Sequence, residues 1–217
     1  MDAQTVDELI ANEYPPVHAV RAAIKQLRAA ESDDTADLLH RLQTYEAHLK
    51  RLYKSKEIHF IPLQEGRLGI GGRPGLGKVA QFPELGIDVV VTLLKEKEKD
   101  VPALGEAVQR QGIAWIWFPL AASQLPTDPA SLQKTTTLFD RLQEQLAAGK
   151  TIFIHCAAGV HRTGAFTNAF LQYQGYDPAT SRQLVKEMRE VTAREAVVKH
   201  WRWADVILQY RETVSPL

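Results

Sequence analysis

The chain of 217 residues holds a single cysteine. An internal disulfide is therefore excluded, and so is a zinc site built from several thiolates. Neither sign of charge is in excess, since 26 basic residues face 26 acidic ones. Nucleic-acid binding and attraction to acidic membranes both draw on a basic surplus, which here only a local patch could supply. No apolar run approaches the roughly 20 residues that a spanning helix needs. The opening stretch, "MDAQTVDELI", is acidic and amphipathic, and it lacks the basic start and apolar core of a secretory signal. Against these absences stand 45% apolar and 24% charged residues, enough to bury a core and keep the surface in water. The expectation is a soluble, cytoplasmic protein with one ordinary domain and an extension.

The extension is residues 1–57. Val17, Val20, Ile24 and Leu27 follow an apolar 3-4-3 spacing, and Leu38, Leu42, Tyr45, Leu49 and Leu52 repeat the pattern after the polar turn "ESDDTAD". Two such stripes predict an antiparallel helical hairpin whose apolar face covers the main domain. From residue 58 to 217 the texture changes to strands alternating with helices. "GRLGIGG", "IDVVVTLL", "IAWIWFPL" and "TIFIHC" read as strands, the last apolar enough for the middle of a sheet covered on both faces. "DVPALGEAVQRQG" and "DPASLQKTTTLFDRLQEQLAAGK" read as helices between them, the second with Asp128 at its cap and Pro129 at its first position. Helices over about 162–174, 178–190 and 195–213 follow. The order predicts an α/β domain with a largely parallel central sheet flanked by helices.

The cysteine sits where the last strand stops, in "TIFIHCAAGVHRTGA". In open α/β sheets ligands lie beyond the carboxyl ends of strands, where a loop turns into a helix. Small residues after Cys156 let the backbone curl and point successive N–H groups inward, and the helix N-terminus adds its own donors, which together suit a dianion. The same field favours thiolate, since cysteines so placed have pKa values of about 3.5–7.5 against about 8.5 when free. Arg162 carries a planar fork able to hold two oxygens at once, and Thr163 a hydroxyl within reach of the sulfur. Thiolate, amides and arginine together describe phosphoryl transfer through a cysteinyl-phosphate.

This stretch resembles the His-Cys-x5-Arg-Ser/Thr signature of the cysteine-dependent protein tyrosine and dual-specificity phosphatases. His155, Cys156, Gly159, Arg162, Thr163 and Gly164 match it, and the order of elements is similar over residues 58 to about 212. The resemblance implies Cys156 as nucleophile, Arg162 as phosphate clamp, Thr163 as an aid to thiolate departure and His155 as a brace behind the loop. Phosphate would rest on the amides of Ala157, Ala158, Gly159, Val160, His161 and Arg162. No metal and no cofactor are implied. For the His161 side chain two readings stand: positive charge at the pocket mouth, or a solvated loop residue.

The family also places an aspartate after a strand ending like "FPL", to protonate the leaving oxygen. Here the segment reads "WFPLAASQLPTDPAS", and the expected place falls on Ala121 or Ala122. An aspartate-to-alanine exchange of the kind used to trap substrate would leave the same sequence. Asp128 is the nearest carboxylate and reads either as the helix cap or as the acid; Glu190, Glu195 or no acid at all are the other readings.

A second motif, "GRPGLGK" at residues 72–78, matches the glycine-rich nucleotide loop, but Val79 stands where magnesium needs a hydroxyl. A plain turn, with Arg73 toward substrate, fits better. The function expected is a phosphomonoester hydrolase acting on phosphorylated protein, phosphotyrosine first, because Ala157 and Ala158 supply none of the lysines that phosphoinositide enzymes of this superfamily tend to carry. A pseudophosphatase that binds phosphoproteins, and an inositol phosphate or phosphoinositide phosphatase, remain as alternatives. Nucleic-acid partners and a membrane span are not expected, and the sequence leaves the oligomeric state open.

Overall fold

A computed structural model describes residues 2–11, 17–29, 35–55, 57–98, 100–121, 124–196 and 198–214. The chain divides into two compact units, Met1–Ser55 and Lys56–Leu217. In the first, the apolar stripes form α2 (Val17–Ala29) and α3 (Ala36–Lys54), preceded by α1 (Ala3–Ala11). Val20, Ile24, Leu27, Leu42 and Leu49 are buried together with Val6 of α1, and Tyr45 and Leu52 pack against them. The stripes thus meet one another inside a three-helix unit with its own core. Most of the turn "ESDDTAD" lies outside the described residues.

The second unit is built on a five-stranded sheet of β1 (Phe60–Leu63), β2 (Gly66–Gly72), β3 (Val89–Thr92), β4 (Ala114–Trp117) and β5 (Thr151–Cys156). Their order is β1-β2-β5-β3-β4, and every pairing is parallel except β1 with β2. Every residue of β5 is buried, as its unbroken apolar run demands of a central strand. β1 was not expected from the sequence. It is four residues long and contains Pro62, which an edge strand tolerates because no ladder bond is needed on its open side. Gln64, at φ 53°, turns the chain sharply into β2.

Helices cover both faces. Below α4 (Leu76–Val79) and α5 (Val101–Arg110), Val79, Leu104 and Val108 bury with Val90 of β3, Phe153 of β5 and Phe82. On the other face Phe139 of α6 (Pro129–Ala147) meets Phe166 and Phe170 of α7 (His161–Tyr173), with ring centroids 5.1 and 5.3 Å apart. Each such fully buried side chain contributes about 1.5–3 kcal/mol. α7 is buried along nearly its whole length, enclosed by β5 and by α8 (Pro178–Met188), α9 (Glu190–Glu195), α10 (Val198–Trp201) and α11 (Trp203–Val214). Two helices differ from the sequence reading. The one expected over 178–190 stops at Arg189, whose extended backbone (φ −163°) separates α8 from α9, and the one expected over 195–213 is broken into α10 and α11.

The register aligns the strand ends. Gly72 pairs with Cys156, while Thr92 pairs with both His155 and Trp117. Four parallel strands therefore finish side by side, and the loops leaving them share one rim.

Candidate active site

Cys156 is the last residue of β5, buried and unpaired. The loop that follows closes tightly on β2. Gly159 has φ +70°, and a Cβ there would lie 2.2 Å from the Gly71 carbonyl carbon and 2.3 Å from the Gly72 nitrogen, so no side chain fits. Arg73 N–H donates to the Ala157 carbonyl at 3.1 Å. "GRPGLGK" is thereby accounted for: its first residues are the end of β2 against which the cysteine loop is seated.

The loop carbonyls are engaged on the outside. Gly159 O accepts from Arg189 Nη1 at 2.8 Å and from Thr192 Oγ1 at 2.5 Å. Gly164 leaves room for this contact, since a Cβ would meet Thr192 Cγ2 at 3.1 Å. Among the described residues, the amides of 157–162 donate to no carbonyl or side chain. A run of amides without protein acceptors, with a helix N-terminus at its end, is a geometry suited to an anion.

Arg162 is buried and held by three residues from two loops, the one after β3 and the one after β4. Its Nη1 donates to Glu98 Oε2 at 2.6 Å, to Leu93 O at 3.2 Å and to Leu120 O at 3.3 Å, and Nη2 donates to Glu98 Oε1 at 2.8 Å. A guanidinium has five N–H groups. These contacts use both on Nη1 and one on Nη2, leaving Nε–H and the second Nη2–H side by side on one edge. That edge is the fork a phosphate needs. Burial works against the cation, but Glu98 and then Cys156 outweigh it and hold Arg162 above its ordinary value. Glu98 in turn is pulled below the usual carboxylate range, chiefly by its hydrogen bonds from Arg162.

Behind the loop runs a chain of hydrogen bonds. His155 is fully buried, which pushes its pKa down to about 4 and leaves the imidazole neutral. Its Nδ1 lies 3.3 Å from Cys156 O, an acceptor only, so Nδ1 carries the proton. Nε2 then accepts from Thr92 Oγ1 at 2.8 Å, and that oxygen accepts from Trp115 Nε1 at 2.9 Å. Trp115, Thr92 and His155 thus connect β4, β3 and β5 to the cysteine carbonyl.

The remaining sequence candidates are placed differently. Thr163 is buried on α7, and among the described residues its hydroxyl has no hydrogen-bond partner, the sulfur included. His161 is exposed and stacks on His200 of α10, with centroids 4.9 Å apart. Asp128 is exposed at the N-cap of α6, where Oδ1 accepts from Ser131 N at 3.0 Å. Those bonds hold its carboxyl below the ordinary aspartate range, the direction opposite to a proton donor at neutral pH. Glu190 pairs with Arg194 on α9. Ala121 is half-buried next to Leu120, and Ala122 lies outside the described residues. No group of side chains able to hold a metal occurs among the described residues.

Sequence reasoning missed Glu98, Arg189 and Thr192. Glu98 belongs to the charged run "KEKEKD", which reads as a solvated loop, and only the alignment of strand ends brings it to Arg162.

Comparison with known proteins fits this geometry. Residues 74–176 match a family model described as Tc-R-P, polymorphic toxin system, DSP-PTPase phosphatase. No curated protein matches the chain. Among solved structures it is similar to kinase-associated phosphatase with its catalytic-site cysteine replaced by serine, at 18% identity over 76% of this chain and 99% of that one, with a TM-score of 0.59. It is also similar to Tk-PTP in its active form, at 21% identity over 68% and 92%, with a TM-score of 0.53. The core catalytic domain of the PP-IP phosphatase SIW14 from S. cerevisiae follows at 16% identity over 71% and 91%, with a TM-score of 0.51. At such identities the likeness is one of fold, and the fold is that of the tyrosine-phosphatase-like enzymes. The family match spans the cysteine loop and elements before it, and the fold is shared with these solved phosphatases.

Proposed function

We propose that the α/β unit hydrolyses phosphomonoesters on protein, phosphotyrosine first, through a cysteinyl-phosphate on Cys156. The Cys156 thiolate attacks phosphorus, the bond from phosphorus to the leaving oxygen breaks, and that oxygen takes a proton from solvent water. Water then attacks phosphorus, the sulfur–phosphorus bond breaks, and inorganic phosphate leaves with the thiolate restored. The amides of 157–162 and the open edge of Arg162 carry the charge of the in-flight phosphoryl group. The observation that carries this reading is the run of unused loop amides between Cys156 and an arginine already oriented by Glu98.

Asp128 serves in this account as a helix cap. The proton reaches the leaving oxygen without an aspartate at the family's usual place, so turnover depends steeply on the leaving group. That gap also supports a second reading, a phosphoprotein-binding module with little turnover, because neither Ala121 nor Ala122 can transfer a proton. Among alternatives in substrate, the likeness to a PP-IP phosphatase suggests inositol phosphates, while the uncharged Ala157 and Ala158 favour protein. The family name makes a polymorphic toxin system the proposed setting. No helix among the described residues is long and apolar enough to cross a membrane, and the cytoplasm is the compartment we propose for the reaction.

Single-turnover assays with excess protein over a phosphotyrosine peptide separate the readings. Stoichiometric release of phosphate supports the enzyme. Retention of intact phosphopeptide with no release supports the binding module.

A further inference from the structure

A pocket of about 330 Å³ is lined in part by His200, whose ring stacks on that of His161 just after the cysteine loop. One wall comes from the segment between β4 and α6, whose contributing residues are uncharged, and the other from α10 and the start of α11. The pocket is held in shape by Trp203, which donates from Nε1 to Pro126 O at 2.8 Å and so fastens the two walls together. Leu125, Trp203 and Val206 give it apolar surface, while Lys199 and Arg202 bring positive charge and no carboxylate lines it. Both cations are exposed, and neither makes an ion pair with the described residues. His200, also in the lining, stacks on His161 and so links the pocket to the residue that opens α7.

Its size is at the small end for ligand pockets, right for a side chain and too small for a large polyanion. A carboxylate on an aliphatic stem matches the lining: methylenes against Leu125, Trp203 and Val206, and the charge toward Lys199 and Arg202. We propose that this pocket receives a glutamate or aspartate side chain of the phosphoprotein substrate, close in sequence to the phosphorylated residue, and so selects substrates with an acidic flank. The inference rests on the phosphatase reading above, because a phosphorylated residue held at Cys156 is what would bring a flanking side chain to a pocket lined by His200, the stacking partner of His161.

The test uses the full chain carrying Cys156→Ser and a neutral phosphotyrosine peptide in which one glutamate, or glutamine as control, is moved through the flanking positions. Binding is read by fluorescence anisotropy. Glutamate at one or two positions should tighten binding about five- to tenfold over glutamine, as expected for two partly exposed ion pairs. That gain should vanish when Lys199→Ala and Arg202→Ala are added, and affinity for inorganic phosphate should stay unchanged. Equal binding of glutamate and glutamine peptides overturns the proposal, as does a preference that survives loss of both cations. If neither the peptides nor inorganic phosphate bind, the phosphatase reading itself falls and this one with it. If inorganic phosphate and neutral phosphopeptide bind well without a glutamate effect, only the acidic pocket is lost.

Discussion

In the proposed reaction Glu98 and His155 act without touching phosphorus. Glu98 fixes the plane of Arg162 by two short hydrogen bonds, and a guanidinium that turns by a small angle loses its paired approach to phosphate. Glu98→Gln keeps the size but cannot accept from both nitrogens. We expect it to lower kcat/KM for an aryl phosphate on the order of 10²-fold, with kcat affected as well as KM; an unchanged kcat/KM would mean that Leu93 and Leu120 suffice. His155 makes a prediction in pH. The unfolded chain protonates this imidazole near pH 6.5, whereas the folded chain resists down to about 4, so the unfolded state binds more protons in that window. Its contribution to stability is complete above pH 6.5 and is lost as pH falls through about 4, on the order of 3 kcal/mol. His200, pushed down to about 4 by burial and by the charges of His161 and Lys199, has the same sign. His155→Gln should therefore flatten, without abolishing, the fall of Tm between pH 6.5 and 4. An unaltered slope would show that His155 is not the buried titrating group.

The elements also explain how much was legible beforehand. β3, β4 and β5 are written as apolar runs bounded by polar segments, and α6 as Asp128-Pro129 followed by an amphipathic stripe, so their places could be read. β1 is too short for periodicity, and its Pro62 reads as a break. The stop at Arg189 has no local signal either, because what holds that residue extended is a contact with Gly159, thirty positions away. Cys156 and Arg162 were legible because loop and helix adjoin in sequence; Glu98 was not, since its neighbour is set by sheet register. Asp128 shows the two readings of one residue, and its cap bond tests them. Asp128→Asn preserves a good cap and should leave phosphotyrosine and nitrophenyl phosphate turnover almost unchanged, whereas Asp128→Ala should cost about 1 kcal/mol of stability with similarly small kinetic effects. A loss selective for phosphotyrosine would make Asp128 the acid after all. Ala121→Asp is the converse: a gain confined to phosphotyrosine, about 10²-fold or more, is expected if the segment can bring a carboxyl to the leaving oxygen.

At the scale of the whole chain, the two units have separate cores. Val6, Leu27 and Leu42 are buried within the first, and Phe139, Phe153 and Phe166 within the second. A 58–217 fragment should accordingly fold cooperatively and release phosphate at a rate close to that of the full chain. Aggregation of the fragment would instead restore the sequence-based expectation that the helices of 1–57 cover the larger unit. Calorimetry of both proteins, alongside aryl phosphate turnover, makes the comparison. The proposed reaction passes through one covalent species. Wild-type protein mixed with a phosphotyrosine peptide and quenched in acid within milliseconds should carry one added phosphoryl group on the peptide that contains Cys156, detected by mass spectrometry, and Cys156→Ser should carry none and release no phosphate. Phosphate release by Cys156→Ser, or full turnover by the wild type with the phosphoryl group never found on Cys156, would contradict it.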